Sequence, residues 1–204
     1  MPGEVNKRTQ QKEMILEEAG KLFWDRGYDK TSIRDIARVC GFEPSNIYYY
    51  FTNKEHILFG VVWQEIHRLI EKIKHLENDE SISPVERLKS LIKIHVDVTL
   101  QNKRASYRMV PDVEVRNLSP RHRKKFIEAR DDYDRIVRKI IKAGIDSGDF
   151  APMDEKLAGF MIASIIIRSR IWFSPKGKYS TEELADFIFD FVSKGLTAGK
   201  VKRR

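Results

Sequence analysis

The sequence contains a single cysteine and has no long hydrophobic run. Because Cys40 has no second thiol, an internal disulfide framework and a thiolate zinc cluster are both excluded. The longest uncharged run, from Leu157 to Ile167, is well short of the roughly 20 residues that a membrane-spanning helix needs. The first residues, Met-Pro-Gly-Glu-Val-Asn-Lys, include no apolar stretch of the signal-peptide kind. We therefore expect a soluble cytoplasmic protein without membrane contact.

The motifs of known catalytic sites are missing as well. The histidines form no His-Glu-x-x-His pair and no other convincing ligand spacing. They are His56, His67, His75, His95 and His122. No Gly-x-Ser-x-Gly motif, phosphate-binding glycine loop or dinucleotide fingerprint occurs. We predict a protein that is not an enzyme and has no cofactor or metal ion. A helical-bundle enzyme is the weaker alternative.

The formal net charge of +8 suggests a polyanionic partner, but the charge is unevenly distributed. Residues 1–56 carry as many acidic as basic side chains, so the whole excess lies beyond them. Five positive charges fall in the last eleven residues, where a basic tail is usually just a solvated chain end. Bulk charge therefore does not establish nucleic-acid binding.

Apolar residues recur at helical spacing along the chain, and none alternate with period two for long enough to indicate a strand. The pattern predicts an all-α fold. Three short helices precede residue 52, and longer helices follow, including one from Lys54 to about Leu76. A shorter helical segment, from about Arg104 to Glu114, is interrupted by Pro111. We predict a three-helix domain over residues 1–53 and a larger helical bundle over residues 54–204.

Several helix ends are marked by capping residues. Ser32 with Asp35 and Ser180 with Glu183 have the spacing of capping boxes. Asn53 and Asp154 are suited to cap the helices that follow them, and Pro44 suits a first helical turn. These residues set the expected beginnings of five helices.

Residues 31–50 have the spacing of a helix-turn-helix. Gly41 suits the turn because glycine adopts a positive φ without a Cβ clash. The second helix carries the polar Ser45 and Asn46 near its N-terminus, where base edges would lie in a major groove. Tyrosines 48–50 can donate to phosphates, and Lys54 would place a cation beside helix N-terminal amides.

The run FWDRGYDKTSIRDIARVCGFEPSNIYYYFTNKEHIL, from Phe23 to Leu58, resembles the N-terminal DNA-binding domain of the TetR/AcrR family of transcriptional regulators. The matching elements occur in the family's order. They are Thr31-Ser32-Ile33, Ile36-Ala37, Gly41-Phe42, Ile47-Tyr48-Tyr49-Tyr50-Phe51 and Lys54-Glu55. The resemblance implies a helix-turn-helix domain, followed by a helical domain for ligand binding and dimerisation. It implies a double-stranded DNA operator as partner.

The resemblance also implies which residues contact DNA. Base or groove contacts are implied for Arg34, Ser45, Asn46 and Tyr48, and phosphate contacts for Thr31, Tyr50 and Lys54. Two positions depart from the family pattern. Glu43 stands where Ser or Thr usually caps the helix, and Tyr50 stands where His is common. The aromatic side chains have a plainer alternative role, which is to close the core; we assign that role to Phe51 and leave it open for Tyr48 and Tyr49.

The helix from Leu157 to Phe173 is apolar on nearly every side, so it should be buried on every side. The last helix offers a broad apolar stripe to meet it. In the resembled family, the last two helices pair with those of a second subunit. This implies a homodimer that reads an inverted repeat, since protein and operator then share two-fold symmetry. Completion of the monomer core is the alternative.

A looser similarity extends over the second domain. Its elements are Asn117-Leu118-Ser119-Pro120, Gly144, Gly148, Trp172, Gly177, Ser180-Thr181-Glu182-Glu183 and Gly195-Leu196. They resemble the branch of these regulators that responds to fatty acyl-CoA or related CoA thioesters. A small hydrophobic effector is therefore expected, with a free hydrophobic drug-like compound as the alternative.

Arg168 and Arg170, near the end of the apolar helix, would suit a thioester ligand because they place cations beside apolar surface; a salt bridge at the dimer surface or a solvated helix end is the alternative. Large aromatic residues at apolar positions are the candidate pocket walls, although each could be plain core. They are Trp63, Phe126, Tyr133 and Trp172.

Overall fold

The computed structural model describes residues 2–100, 115–174 and 176–197, and these contain eight α-helices and no strand. The helices are α1 (Pro2–Arg26), α2 (Ile33–Cys40), α3 (Pro44–Tyr50), α4 (Lys54–Ile73), α5 (Pro84–Leu100), α6 (Pro120–Asp146), α7 (Glu155–Trp172) and α8 (Thr181–Thr197). The predicted all-α fold is confirmed. The segment predicted around Arg104 to Glu114 lies outside the described residues.

Helix α2, the first helix of the helix-turn-helix, begins and ends where the sequence predicts. Ser32 Oγ accepts the backbone N–H of Asp35 at 3.1 Å, and the Asp35 carboxylate accepts the backbone N–H of Ser32 at 3.0 Å. Gly41 ends α2 with a φ of 68°, in the left-handed region that glycine tolerates, and its N–H bonds to carbonyls of the last turn. The predicted capping box and glycine turn are both confirmed.

The later caps are confirmed in the same way. Asn53 Oδ1 accepts the N–H of His56 at 2.8 Å, and Asp154 Oδ1 accepts the N–H of Leu157 at 2.9 Å. Ser180 and Glu183 exchange two hydrogen bonds between side chain and backbone. These bonds satisfy N–H groups that a helix cannot satisfy internally.

Two boundaries differ from the apolar pattern. Helix α1 begins at Pro2, although its apolar stripe begins only near Ile15. Helix α4 ends at Ile73 instead of continuing to Leu76, and a 3₁₀ turn over Lys74–Glu77 follows it. A 3₁₀ turn continues the chain as a more tightly wound helix. Leu76 lies within this turn and is buried.

The chain forms two compact units, of which the first comprises residues 1–65 and 102–127. Helix α2 packs against α1 and α3. The buried side chains of these helices and of the start of α4 make a small apolar core. They are Ile15, Ala19, Phe23, Ile36, Ala37, Ile47, Phe51, Ile57 and Leu58. Ser45, Asn46 and Tyr48 of α3 lie outside this core and are exposed.

The second unit comprises residues 66–101 and 128–204. Helix α5 packs against α7 and α8, and the core extends along α6. The end of α6 requires glycine at Gly144, since a Cβ there would lie 2.1 Å from Cδ2 of Phe150. Phe150 then folds back into the core. Among the described residues no helix is both long and apolar enough to cross a membrane.

Candidate nucleic-acid interface and core of the second unit

Helix α3 is divided between a buried side and an exposed side. Ile47 is fully buried and anchors the helix to the core. Ser45 and Asn46 are exposed in its first turn, and Tyr48 is 56% exposed. The exposed groups are hydroxyls and an amide, which are the groups that donate to and accept from base edges and phosphates. A short rigid helix therefore presents polar side chains in one direction.

Arg34 is exposed on α2, and no described residue forms an ion pair with it. The neighbouring Arg38 instead lies 3.2 Å from Asp35. Hydrogen bonds from Ser32 hold the pKa of Asp35 below its ordinary value. Both arginines are exposed to a polyanion, but only Arg38, which is 73% exposed, shares a weak surface ion pair among the described residues.

Thr31 is almost completely buried, which does not fit the predicted phosphate contact. Its hydroxyl lies 2.9 Å from the carbonyl oxygen of Gly27 and 3.2 Å from that of Leu22, and it can donate its single proton to either. The Thr31 N–H donates to the carbonyl of Tyr28. This side chain ties the end of α1 to the start of α2 and has no free donor for a phosphate.

Lys54 is half-buried and held in place within the protein. Its Nζ donates to the backbone carbonyl of Tyr28 at 2.8 Å and lies 4.1 Å from the centre of the Tyr28 ring. An ammonium has three donors, so two remain for a phosphate oxygen. The contacts with Tyr28 restrict the side chain before any partner arrives.

The N-terminal half of α1 meets the tyrosines of α3, a contact that the sequence pattern did not predict. Tyr50 donates its hydroxyl to Gln11 Oε1 at 2.7 Å, and the guanidinium of Arg8 lies 5.2 Å from the ring centre of Tyr49. Lys12 lies 5.8 Å from the ring of Phe51. The cations at positions 7, 8 and 12 were a signal in the sequence, but no apolar stripe showed that α1 reaches α3.

Glu43 occupies the N-cap position of α3, yet its side chain makes no capping hydrogen bond. It is exposed beside the polar face of the helix. A carboxylate there repels a polyanion, so bulk charge cannot drive recognition by this helix. The geometry instead favours recognition by a few hydrogen-bond donors and cations at fixed positions.

A second polar cluster joins the first turn of α4 to the first turn of α6. The Glu55 carboxylate accepts the backbone N–H of Ser119 at 2.8 Å and lies 2.9 Å from His122 Nδ1. The His122 ring stacks on Phe59 with 4.1 Å between ring centres. Burial raises the pKa of Glu55, but the hydrogen bonds from Ser119 and His122 outweigh burial and leave the pKa below its ordinary value. The partners are too far apart in sequence for a local pattern to have shown the cluster.

The core of the second unit contains a buried hydrogen bond between Tyr133 of α6 and His95 of α5. The Tyr133 hydroxyl oxygen lies 2.9 Å from His95 Nδ1. Burial lowers the pKa of His95 to about 3 and raises the pKa of Tyr133. Both groups are therefore neutral near pH 7.

The predicted ligand residues are not all in one unit. Trp63, 5.4 Å from Phe59 between ring centres, and the buried Phe126 belong to the first unit. Tyr133 is buried in the second unit. Arg168 and Trp172 also belong to it but are exposed, and they lie one helical turn apart on the same face of α7.

That face of α7 is apolar and exposed in the single chain, so the expected burial on every side is not reached within one chain. Met161 is 69% exposed and Trp172 is 64% exposed. Helix α8 exposes Phe187 to 69%, and also Phe191. We call these exposed side chains the apolar stripe; on α7 they are Leu157, Phe160, Met161, Ile171 and Trp172, and on α8 Phe187 and Phe191. Surface of this kind marks an interaction site more often than a free surface.

Cys40 is half-buried, and burial raises the pKa of its thiol to about 11. Its thiolate population near pH 7 is therefore small, and the thiol has little nucleophilic character. Among the described residues no group of three or more His, Cys, Asp or Glu side chains could hold a metal ion.

A helix, a left-handed glycine turn and a second helix with an exposed polar face define a helix-turn-helix DNA-binding protein. Residues 15–61 match the bacterial regulatory proteins of the tetR family, and residues 81–196 match the tetracyclin repressor-like C-terminal domain. The chain belongs to the TetR family and is a transcriptional regulator with a DNA-binding domain, as the resemblance implied. Its families are regulators, not enzymes.

Relatives of this chain match it over nearly its full length. It is 26% identical to the HTH-type transcriptional repressor KstR2 of Mycolicibacterium smegmatis, over 96% of this chain and 95% of that protein. It is 26% identical to the fatty acid metabolism regulator protein of Bacillus subtilis, over 89% and 93% of the two chains. The crystal structure of AibR in complex with isovaleryl coenzyme A and operator DNA superposes with a TM-score of 0.78, at 24% identity, covering 89% of this chain and 97% of that one.

Proposed function

We propose that the protein is a repressor that binds an inverted-repeat operator as a homodimer and is released by a fatty acyl-CoA or related CoA thioester. The observation that carries the DNA-binding part of the proposal is the exposed polar face of α3, whose opposite face is anchored in the apolar core by the buried Ile47. Residues 1–53 provide this binding domain, and residues 54–204 provide ligand binding and dimerisation.

For the operator, Arg34, Ser45, Asn46 and Tyr48 contact base edges or the groove, since all four are exposed on α2 and α3. Lys54 contacts a phosphate with the donors that Tyr28 leaves unused. Tyr50 donates its single hydroxyl proton to Gln11 Oε1, so it contacts a phosphate only when that hydrogen bond is exchanged for one to the phosphate. Thr31 acts indirectly, because its hydroxyl holds α1 and α2 together.

The homodimer forms through the apolar stripe of α7 and α8 apart from Trp172, which is assigned to the effector below. A second copy of the chain is the occupant that suits it, because a two-fold axis places the same apolar residues opposite one another. Two recognition helices are then fixed at one separation, which a two-fold symmetric operator can match. An effector that changes this separation lowers DNA affinity by its differential affinity for the two states.

The effector is proposed from Arg168 and Trp172. A CoA thioester combines an apolar chain with phosphates, and Arg168 provides an exposed cation one turn from the Trp172 indole. The names of the similar proteins refer to fatty acid metabolism and to isovaleryl coenzyme A, which is consistent with this class. A bare hydrophobic compound would need no such cation.

The test begins with selection of genomic fragments by the full-length protein, followed by gel shifts at several salt concentrations. We expect a salt-sensitive specific complex that palmitoyl-CoA dissociates and that palmitate affects much less. Arg168→Ala should weaken the response, whereas Lys178→Ala, an exposed cation of the same unit, should not. Absence of any specific complex refutes the regulator proposal; release by a neutral hydrophobic compound alone refutes the CoA class.

A further inference from the structure

Tyr49 is the most exposed of the three tyrosines of α3. It is 66% exposed, against 56% for Tyr48. Ser45, Tyr48 and Tyr49 are three or four residues apart, so they share one face of the helix. Tyr49 therefore lies on the exposed face that is proposed to approach DNA, on the side away from the buried Ile47.

A cation from another helix contacts the ring of Tyr49. The guanidinium of Arg8, on α1, lies 5.2 Å from the ring centre. Arg8 is itself exposed, and among the residues whose side chains the structure describes it forms no ion pair. The attraction between a guanidinium and an aromatic ring uses no lone-pair acceptor, so the N–H donors of Arg8 remain available to a partner. The contact holds a cation beside the exposed face of α3.

The helical register of α1 explains why Arg8 meets α3. Arg8, Gln11 and Ile15 are three, four and seven residues apart and share one face of α1. Ile15 is fully buried in the core of the first unit, and Gln11 accepts the hydroxyl of Tyr50 at 2.7 Å. The face of α1 that packs in the core therefore continues along the C-terminal half of α3, and Arg8 is the next residue outward on it.

The chemistry at this position suits a phosphate group. The guanidinium is a planar fork of donors that matches two phosphate oxygens at once. Lys7 and Lys12 are exposed on the same half of α1 and outweigh the single carboxylate of Glu13. A helix that reads base edges lies in the major groove, and side chains at the border of its reading face meet the phosphates along the groove.

We propose that Arg8 binds a backbone phosphate of the operator and that Tyr49 is its positioning residue. The inference rests on the proposed function in one respect, which is that the exposed face of α3 approaches DNA. Arg8 donates hydrogen bonds to the phosphate oxygens and provides the positive charge, while the Tyr49 ring orients the guanidinium. The pair adds affinity without sequence preference, because every nucleotide carries the same phosphate.

The test uses full-length protein with two duplexes of equal length, the operator fragment from genomic selection and a random sequence. Dissociation constants are measured by fluorescence anisotropy over a series of salt concentrations. Arg8→Gln should weaken binding to both duplexes roughly three- to tenfold, the ratio that one net hydrogen bond gives. It should also reduce the slope of log K against log salt by about 0.9 for each copy of Arg8 in the complex.

Two further variants serve as controls for charge. Arg8→Lys keeps the positive charge and should keep the wild-type salt slope, since a lysine also binds a phosphate. Lys125→Gln removes an exposed cation of the same unit on α6 and should leave both the affinity and the slope unchanged. A fall in slope for either of these variants equal to that of Arg8→Gln overturns the inference, because position 8 then has no particular role.

The Tyr49 variants test its positioning role. Tyr49→Leu removes the ring and should weaken binding to both duplexes, whereas Tyr49→Phe keeps the ring and should bind as wild-type protein does. In the Arg8→Gln background Tyr49→Leu should have little further effect, because residues that act through one contact are not additive. Additive losses would show that Tyr49 does not act through Arg8, and they overturn its assigned role.

An unchanged salt slope for Arg8→Gln overturns the inference even if its thermal stability falls, because Arg8 then only fastens α1 to α3. A loss confined to the operator duplex also overturns it, since a phosphate contact acts on both duplexes alike. In both cases a specific wild-type complex leaves the proposed function standing. If wild-type protein forms no specific complex, the proposed function is refuted, and the slopes measured with the random duplex still decide about Arg8.

Discussion

The burial of His95 predicts a loss of stability in mild acid. Its pKa is lowered from 6.5 to about 3 by burial, so the folded protein resists protonation that the unfolded chain accepts. Below pH 6.5 the unfolded state binds more protons, and stability falls as the pH falls from 6.5 towards 3. At pH 5 the difference amounts to about 2 kcal/mol relative to neutral pH, or roughly 1.4 kcal/mol for each pH unit.

The assay is urea unfolding at about pH 7.5 and about pH 5, with wild-type protein and His95→Asn. The introduced asparagine cannot titrate, and its Oδ1 can accept the Tyr133 hydroxyl as Nδ1 can. Other groups contribute to the wild-type pH dependence, including His56, whose pKa is also lowered by burial. The difference between the two proteins isolates His95.

Wild-type protein should lose about 2 kcal/mol more than His95→Asn between the two pH values. His75→Asn, at an exposed position, is the matched control and should follow the wild-type protein. If the stabilities of wild-type protein and His95→Asn fall in parallel, His95 is not held neutral in the folded state, and the account of the His95–Tyr133 pair is wrong.

Three further sets of variants test other parts of the structure. Lys54→Ala should weaken binding to specific and random DNA alike and reduce the salt dependence, whereas Asn46→Ala should change sequence preference by about 1–3 kcal/mol, as competition gel shifts would show. Phe187→Glu places a charge in the apolar stripe and should give a monomer in sedimentation; an unchanged dimer contradicts the proposed interface. Thr31→Val removes a buried hydroxyl that lies within hydrogen-bond distance of two carbonyls and should lower the free energy of unfolding by about 1–3 kcal/mol; unchanged stability in urea would show that this bond contributes little.

The helix-turn-helix could be predicted because its signals are local. The Ser32–Asp35 box and Gly41 depend on neighbouring backbone groups, so residue type and spacing are enough to fix the ends of α2. The same holds for Asn53 at the start of α4. The exposed face of α3 follows from its helical register once Ile47 is assigned to the core.

The roles of Thr31 and Lys54 could not be settled by the same reasoning. A family position implies that their polar groups are free, but the Thr31 hydroxyl donates its single proton to the carbonyl of Gly27 or of Leu22, and Lys54 donates to the carbonyl of Tyr28. The N-terminal half of α1 was missed for a related reason. Its contacts with Tyr49 and Tyr50 use polar and charged side chains, which leave no apolar periodicity.

The sequence by itself determined the all-α fold, the caps of α2, α4, α7 and α8 and the family, because these depend on residues close together in the chain or on a motif in fixed order. Only the tertiary structure decided that the single chain leaves one apolar face of α7 exposed, and that His95 meets Tyr133 in the core. Hydrophobic character shows that a side chain favours burial, but it does not show which surface covers it. The hydrogen-bond partner of a buried side chain depends on how distant helices pack, and that is a property of the folded chain as a whole.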